Sequence, residues 1–126
     1  FQGCAALTGE LLLPPYIERI RDYVFDGCSS LTGTLVIPQI VVYIGSFTFR
    51  GCSGFSGDLT IPSEVTFIGD QAFARCTGFN QGILTIPASL RVMMGNPFLA
   101  TSFRCFIAPP KFALTPICDT MSPVSS

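Results

Sequence analysis

Four of the six cysteines, Cys4, Cys28, Cys52 and Cys76, follow one another at intervals of 24 residues. A fixed period of that length marks a chain built from stacked copies of one small unit, and it constrains the fold more than composition does. With cysteine as position one, the rest of the unit falls into line. Three residues on stand Leu7, Leu31, Phe55 and Phe79, followed by Gly9, Gly33, Gly57 and, shifted by one, Gly82. Each copy then carries a run ending in proline: Leu11-Leu12-Leu13-Pro14, Leu35-Val36-Ile37-Pro38, Leu59-Thr60-Ile61-Pro62 and Leu84-Thr85-Ile86-Pro87. Ile20, Ile44, Ile68 and Met93 come next, then Phe25, Phe49, Phe73 and Phe98. The fourth copy holds one extra residue in its Asn80-Gln81-Gly82 stretch, after which the register resumes.

Within a unit the alternation is short. Leu35 and Ile37 point one way, Thr34 and Val36 the other, which predicts a strand of about four residues. Pro38 ends it, because proline donates no ladder hydrogen bond. Val41 to Ile44 forms a second extended stretch, closed by Gly45, and Ser46 to Gly51 reads as a tight turn that carries Phe49 inward. No stretch has helical periodicity with caps. A unit this small cannot bury its apolar side alone, so neighbours must stack. The expectation is a right-handed solenoid, each turn about 4.8 Å above the last, with one ladder of core side chains per inward position.

This repeat also decides how the composition is read. The chain is 48% apolar and 12% charged, and Gly27 to Phe49 is an uncharged run long enough to cross a membrane. Its Thr34, Ile40 and Ser46, however, align with Asp58, Glu64 and Asp70 of the next copy. Three acids in a sister segment exclude a spanning helix, given the cost of charge in a bilayer. No basic start leads into an apolar stretch, so no secretory signal is read.

The pattern G-C-S-S-L-T-G-T-L-V-I-P at 27–38, with I-G at 44–45 and F-x-G-C at 49–52, resembles the BspA-like leucine-rich repeats of microbial and protist surface-type proteins. The resemblance runs over roughly residues 1–100. It implies a mainly β, right-handed leucine-rich-repeat solenoid of about four 24-residue turns, with short parallel strands and little or no regular α-helix. Residues 1–100 would form the solenoid, its repeats starting at Cys4, Cys28, Cys52 and Cys76, and residues 101–126 a degenerate C-terminal cap and tail. Within that tail, Cys105 to Pro109 reads as a worn strand-proline motif closing the coil. Copy one departs from the pattern with Arg21 in a glycine position, and copy four with Met94 and Pro97. Phe1-Gln2-Gly3-Cys4 matches Phe25-Asp26-Gly27-Cys28, so the first turn begins inside a repeat, with upstream turns removed or a partner on that end.

Six cysteines suit a disulfide framework. The four periodic ones occupy equivalent inward sites with side chains in parallel, which favours buried free thiols packing as small hydrophobes. A straight column does not wrap a tetrahedral zinc ion. Cys105 and Cys118 lie outside the column and are free to pair with each other.

Histidine is absent, as is any nucleophile motif, and the twelve glycines fall at repeat corners rather than in a phosphate loop. The acids Glu10, Glu18, Asp22, Asp26, Asp58, Glu64, Asp70 and Asp119 read as solvated surface charge, and Asp22 and Asp70 stand two turns apart. These residues argue against an enzyme, and no cofactor or metal is expected. Seven basic residues against eight acidic ones leave no footprint for nucleic acid.

Function is left to surfaces. One outward row holds Arg19, Tyr43, Phe67 and Val92, beside a second of Glu18, Val42, Thr66 and Arg91. Aromatic residues flanked by arginines have the composition of an interaction patch. The strand face presents Thr34, Val36, Asp58 and Thr60 as a further candidate. The reading is a non-catalytic protein-protein interaction module, which the resemblance places in cell-surface recognition or adhesion. The alternative is a structural subunit held inside a larger assembly by an apolar flank or open end, and an organellar or intracellular assembly stays open beside a surface location.

Overall fold

The computed structural model describes residues 8–80 and 82–112. The short extended segments are β1 (Gly9–Glu10), β2 (Arg19–Ile20), β3 (Leu31–Thr32), β4 (Tyr43–Ile44), β5 (Leu59–Thr60), β6 (Phe67–Ile68), β7 (Ile83–Thr85), β8 (Val92–Met93) and β9 (Cys105–Ile107). All pair in parallel, as successive turns of one coil require. Three sheets result, with orders β1-β3, β2-β4-β6-β8 and β5-β7-β9. Two single 3-10 turns at Thr77–Phe79 and Pro110–Phe112 are the only helical elements among the described residues. The fold is the expected β-solenoid of about four turns.

The register repeats the sequence spacing. Arg19 pairs with Tyr43, Tyr43 with Phe67, and Phe67 with Val92. Leu59 pairs with Leu84 and Leu84 with Phe106, so the strand Cys105–Ile107 continues the coil past its fourth proline motif. The corner after the β2-β4-β6-β8 sheet is held by a second ladder: amides of Phe25, Phe49 and Phe73 donate to carbonyls of Thr48, Ala72 and Pro97 one turn on.

Inside, each column is one residue per turn. Phe25, Phe49, Phe73 and Phe98 stack with ring centroids 5.3, 5.3 and 5.5 Å apart. Phe55, Phe79 and Phe103 make another stack. Ile20-Ile44-Ile68, Leu35-Leu59-Leu84, Ile37-Ile61-Ile86 and Val41-Val65-Leu90 fill the remainder, all buried. So tight a pitch leaves no room for a side chain at some corners. A Cβ on Gly69 would come within 2.4 Å of the Ser46 amide nitrogen, and one on Gly78 within 2.0 Å of the Phe55 carbonyl oxygen.

The strand expected at 34–37 differs from its sisters. Leu35 and Ile37 are buried and Thr34 and Val36 exposed, as the alternation requires. Yet ladder pairing in that part of the unit begins only at β5, and turn two pairs instead through Leu31–Thr32 and a bridge from Gly33 to Phe55. Alternation reports which side chains are buried, and a four-residue segment ending in proline buries them without ladder bonds.

Candidate functional site

The β2-β4-β6-β8 sheet builds the outward row that the spacing predicts. Tyr43 and Phe67, half-buried, stack with centroids 4.8 Å apart and planes 5° from parallel. The Arg19 guanidinium lies 5.5 Å from the Tyr43 ring centre. Tyr43 is therefore held between Arg19 and Phe67. The second row forms beside it. Val42 donates to Glu18, Thr66 donates to Val42 through both amide and hydroxyl, and the Arg91 amide donates to Thr66. A shallow groove of about 410 Å³ opens at the first turn between Arg19, Arg21, Asp22 and Tyr43. Another of about 600 Å³ runs beside Val42, between Glu18, Ile40 and Glu64.

Thr34, Val36, Asp58 and Thr60 are brought together elsewhere, around a cleft of about 240 Å³ on the proline-motif side of the coil. Val36 is 65% exposed and its column neighbour Leu12 82% exposed. The ten candidate residues thus make two separate patches, six on the aromatic sheet and four on this cleft.

Sequence reasoning missed a third column. Tyr23 and Phe47 stack at 5.0 Å, and the Arg50 guanidinium sits 4.6 Å above Phe47. Tyr23, Phe47 and Gln71 all have positive φ, 61°, 57° and 54°, a conformation that costs a bulky side chain energy. The 24-residue spacing of Tyr23 and Phe47 was the available signal, hidden by the stronger phenylalanine column two residues later.

Four of the acids read as solvated, Asp22, Asp26, Asp58 and Asp70, are structural. Asp26 is buried, and Arg50 grips it with two hydrogen bonds of 2.9 and 2.8 Å. They are column mates one turn apart, so the period itself aligns the opposite charges. The bond to Asp26 raises the Arg50 pKa further above its ordinary value. Asp22, Asp58 and Asp70 each accept the amide of a residue in the next turn, Ser46, Ile83 and Asn96. Asp22 and Asp70 are therefore two separate turn clips and do not form a carboxylate pair. Thr48, fully buried, donates toward the carbonyls of Gly45 and Arg21 at 2.8 and 3.0 Å.

The cysteine column divides. Cys52 and Cys76 are buried free thiols, each donating to the carbonyl of the phenylalanine 27 residues earlier, at 3.1 Å. Burial pushes the Cys52 pKa up to about 12 and that of Cys76 higher still, so both stay protonated and unreactive at neutral pH. Cys28, expected to be free like its sisters, is disulfide-bonded. Turns about 4.8 Å apart bring column mates within the Cα separation that a disulfide spans, so parallel placement is no bar to bonding. Cys105 is also disulfide-bonded. Cys4 and Cys118, the latter its expected partner, lie outside the described residues.

Among the described residues no group of three or more histidine, cysteine, aspartate or glutamate side chains gathers around a metal position. No described helix is long and apolar enough to cross a membrane. No curated protein and no solved structure gives a significant match to the chain. The family model described as BspA type leucine rich repeat region matches in six copies across residues 1–116. With nearly the whole chain matched and the repeat seen in the coil itself, the protein belongs to the BspA-type leucine-rich-repeat family.

Proposed function

We propose that this chain is a non-catalytic recognition module that binds another protein at a cell surface through the β2-β4-β6-β8 face. The observation that carries the reading is the outward Tyr43–Phe67 stack with Arg19 against it. Side chains of this kind anchor protein interfaces, since they offer large area at small entropy cost. Aromatic ring edges are electropositive, and so suit carbonyl and carboxylate oxygens on a partner. Val42, Thr66 and Arg91 form the adjoining row and complete the patch. The disulfides at Cys28 and Cys105 fit an oxidising compartment, in keeping with a surface or secreted location.

A second reading, a structural subunit of a larger assembly, draws on Leu12 and Val36, large apolar side chains left in water on the strand face. Thr34, Asp58 and Thr60 would then line the contact between subunits.

Immobilised protein challenged with surface extract from its own source separates the two. A partner retained by the native chain and lost by Tyr43→Ser/Phe67→Ser supports the aromatic face. A partner retained equally by that variant but lost by Leu12→Ser/Val36→Ser overturns it in favour of the subunit reading.

A further inference from the structure

The coil is not closed equally on its two sides. On the aromatic side the ladder is continuous through four turns, from Arg19–Ile20 to Val92–Met93. The corner bonds continue it, with Phe47 donating to Asp70, Phe49 to Ala72 and Gly51 to Ala74 across the boundary between turns two and three. On the proline-motif side the later boundaries are stitched as well: Ile61 donates to Thr85 and Ile86 to Ile107. At the boundary between turns two and three, among the described residues, no backbone bond joins 34–37 to 58–61. Among the described residues, the tie on this side is the Gly33–Phe55 bridge just before that segment, in which Ser56 donates to Gly33 at 2.9 Å. The 240 Å³ cleft lies over the unstitched segment, lined by Thr34, Val36, Asp58 and Thr60.

Backbone bonds missing on one side and complete on the other describe a hinge. We infer that turn two opens away from turn three on the proline-motif side, swinging about the continuous β2-β4-β6-β8 sheet. Opening breaks the Ser56–Gly33 bond and leaves the sheet and corner bonds intact. It uncovers Leu35 and Ile37 and frees the inner edge of β5, whose other edge stays paired with β7. Local opening of this kind draws on the least-bonded part of a fold. It differs from fraying, in which a whole terminal turn detaches on both sides at once.

Native-state hydrogen exchange followed by NMR on the intact, oxidised chain tests it, with three amides as the readout. Ser56 and Gly69 both bridge turns two and three, Gly69 by donating to Ile44 on the hinge side, while Ile61 bridges the next boundary on the opening side. The expected result is that Ser56 is protected at least about tenfold less than either Gly69 or Ile61. Equal protection of Ser56 and Gly69 means that the turn opens whole, and overturns the hinge. Equal protection of Ser56 and Ile61 means that the cleft is as firmly closed as its neighbour, and overturns it too. A cross-turn disulfide in Val36→Cys/Thr60→Cys distinguishes hinge opening from mere exposure of the Ser56 amide. Once formed, it should raise Ser56 protection to the level of Gly69. Unchanged protection in the oxidised variant contradicts the inference.

Discussion

The inner and outer aromatic columns obey one period yet do different work. Phe25, Phe49, Phe73 and Phe98 stack in the dry core, and Tyr43 and Phe67 stack at the same pitch on the outside. A 24-residue repeat therefore fixes that like residues align but not what the alignment is for. Burial makes the inner stack a structural element, because removing a ring there leaves a cavity as well as lost contacts. Partial exposure leaves the outer stack less to contribute to stability and, under the proposed function, free to meet a partner.

The largest way to break this contrast is in the core. Phe49→Ala, at a fully buried position between two other rings, should cost about 3 to 5 kcal/mol in urea unfolding. A loss below about 1 kcal/mol would make the inner stack as dispensable as the outer one. The pitch comes next. Gly69→Ala forces a methyl group against the Ser46 backbone and should cost about 2 kcal/mol or more, read as a lowered thermal midpoint. The paired charges follow, where Asp26→Ala leaves Arg50 unpartnered at a half-exposed site and should cost about 1 kcal/mol.

The thiols sharpen the same inside-outside contrast through pH. In the unfolded chain Cys52 and Cys76 ionise near pH 9.0, while burial in the fold holds Cys52 protonated up to about 12 and Cys76 beyond that. The unfolded state thus loses protons first, so stability is intact below about pH 9 and falls as pH rises toward 12 and above. Unfolding midpoints measured from pH 7 to 11 should decline over the upper part of that range, and Cys52→Ser/Cys76→Ser should flatten the decline. The smallest effect is expected at Phe47→Gly. Glycine relieves a positive φ and loses the stack on Tyr23, and the two offset to within about 1 kcal/mol.

Most of the coil was legible in the sequence because burial leaves a period, and a period survives substitution. Phe49, Ile44 and Leu59 announce their inward places by recurring every 24 residues. Pairs that follow no residue type were hidden. Asp26 and Arg50 occupy one column, but unlike residues in a column look like noise until their contact is seen. The disulfide at Cys28 was masked for a related reason, since a column of identical residues says nothing of how one member differs. The outer rows could be named from spacing, and the register bears out their alignment. A partner for the proposed face could not be named, because the repeat encodes the fold and not what meets its surface.

Urea unfolding of Tyr43→Ser/Phe67→Ser beside Phe49→Ala tests the central contrast most directly. The loss of both outer rings is predicted to cost no more than about 2 kcal/mol in total, less than the single inner ring. An outer double variant as damaging as Phe49→Ala would make that face part of the scaffold, and would contradict its assignment to recognition.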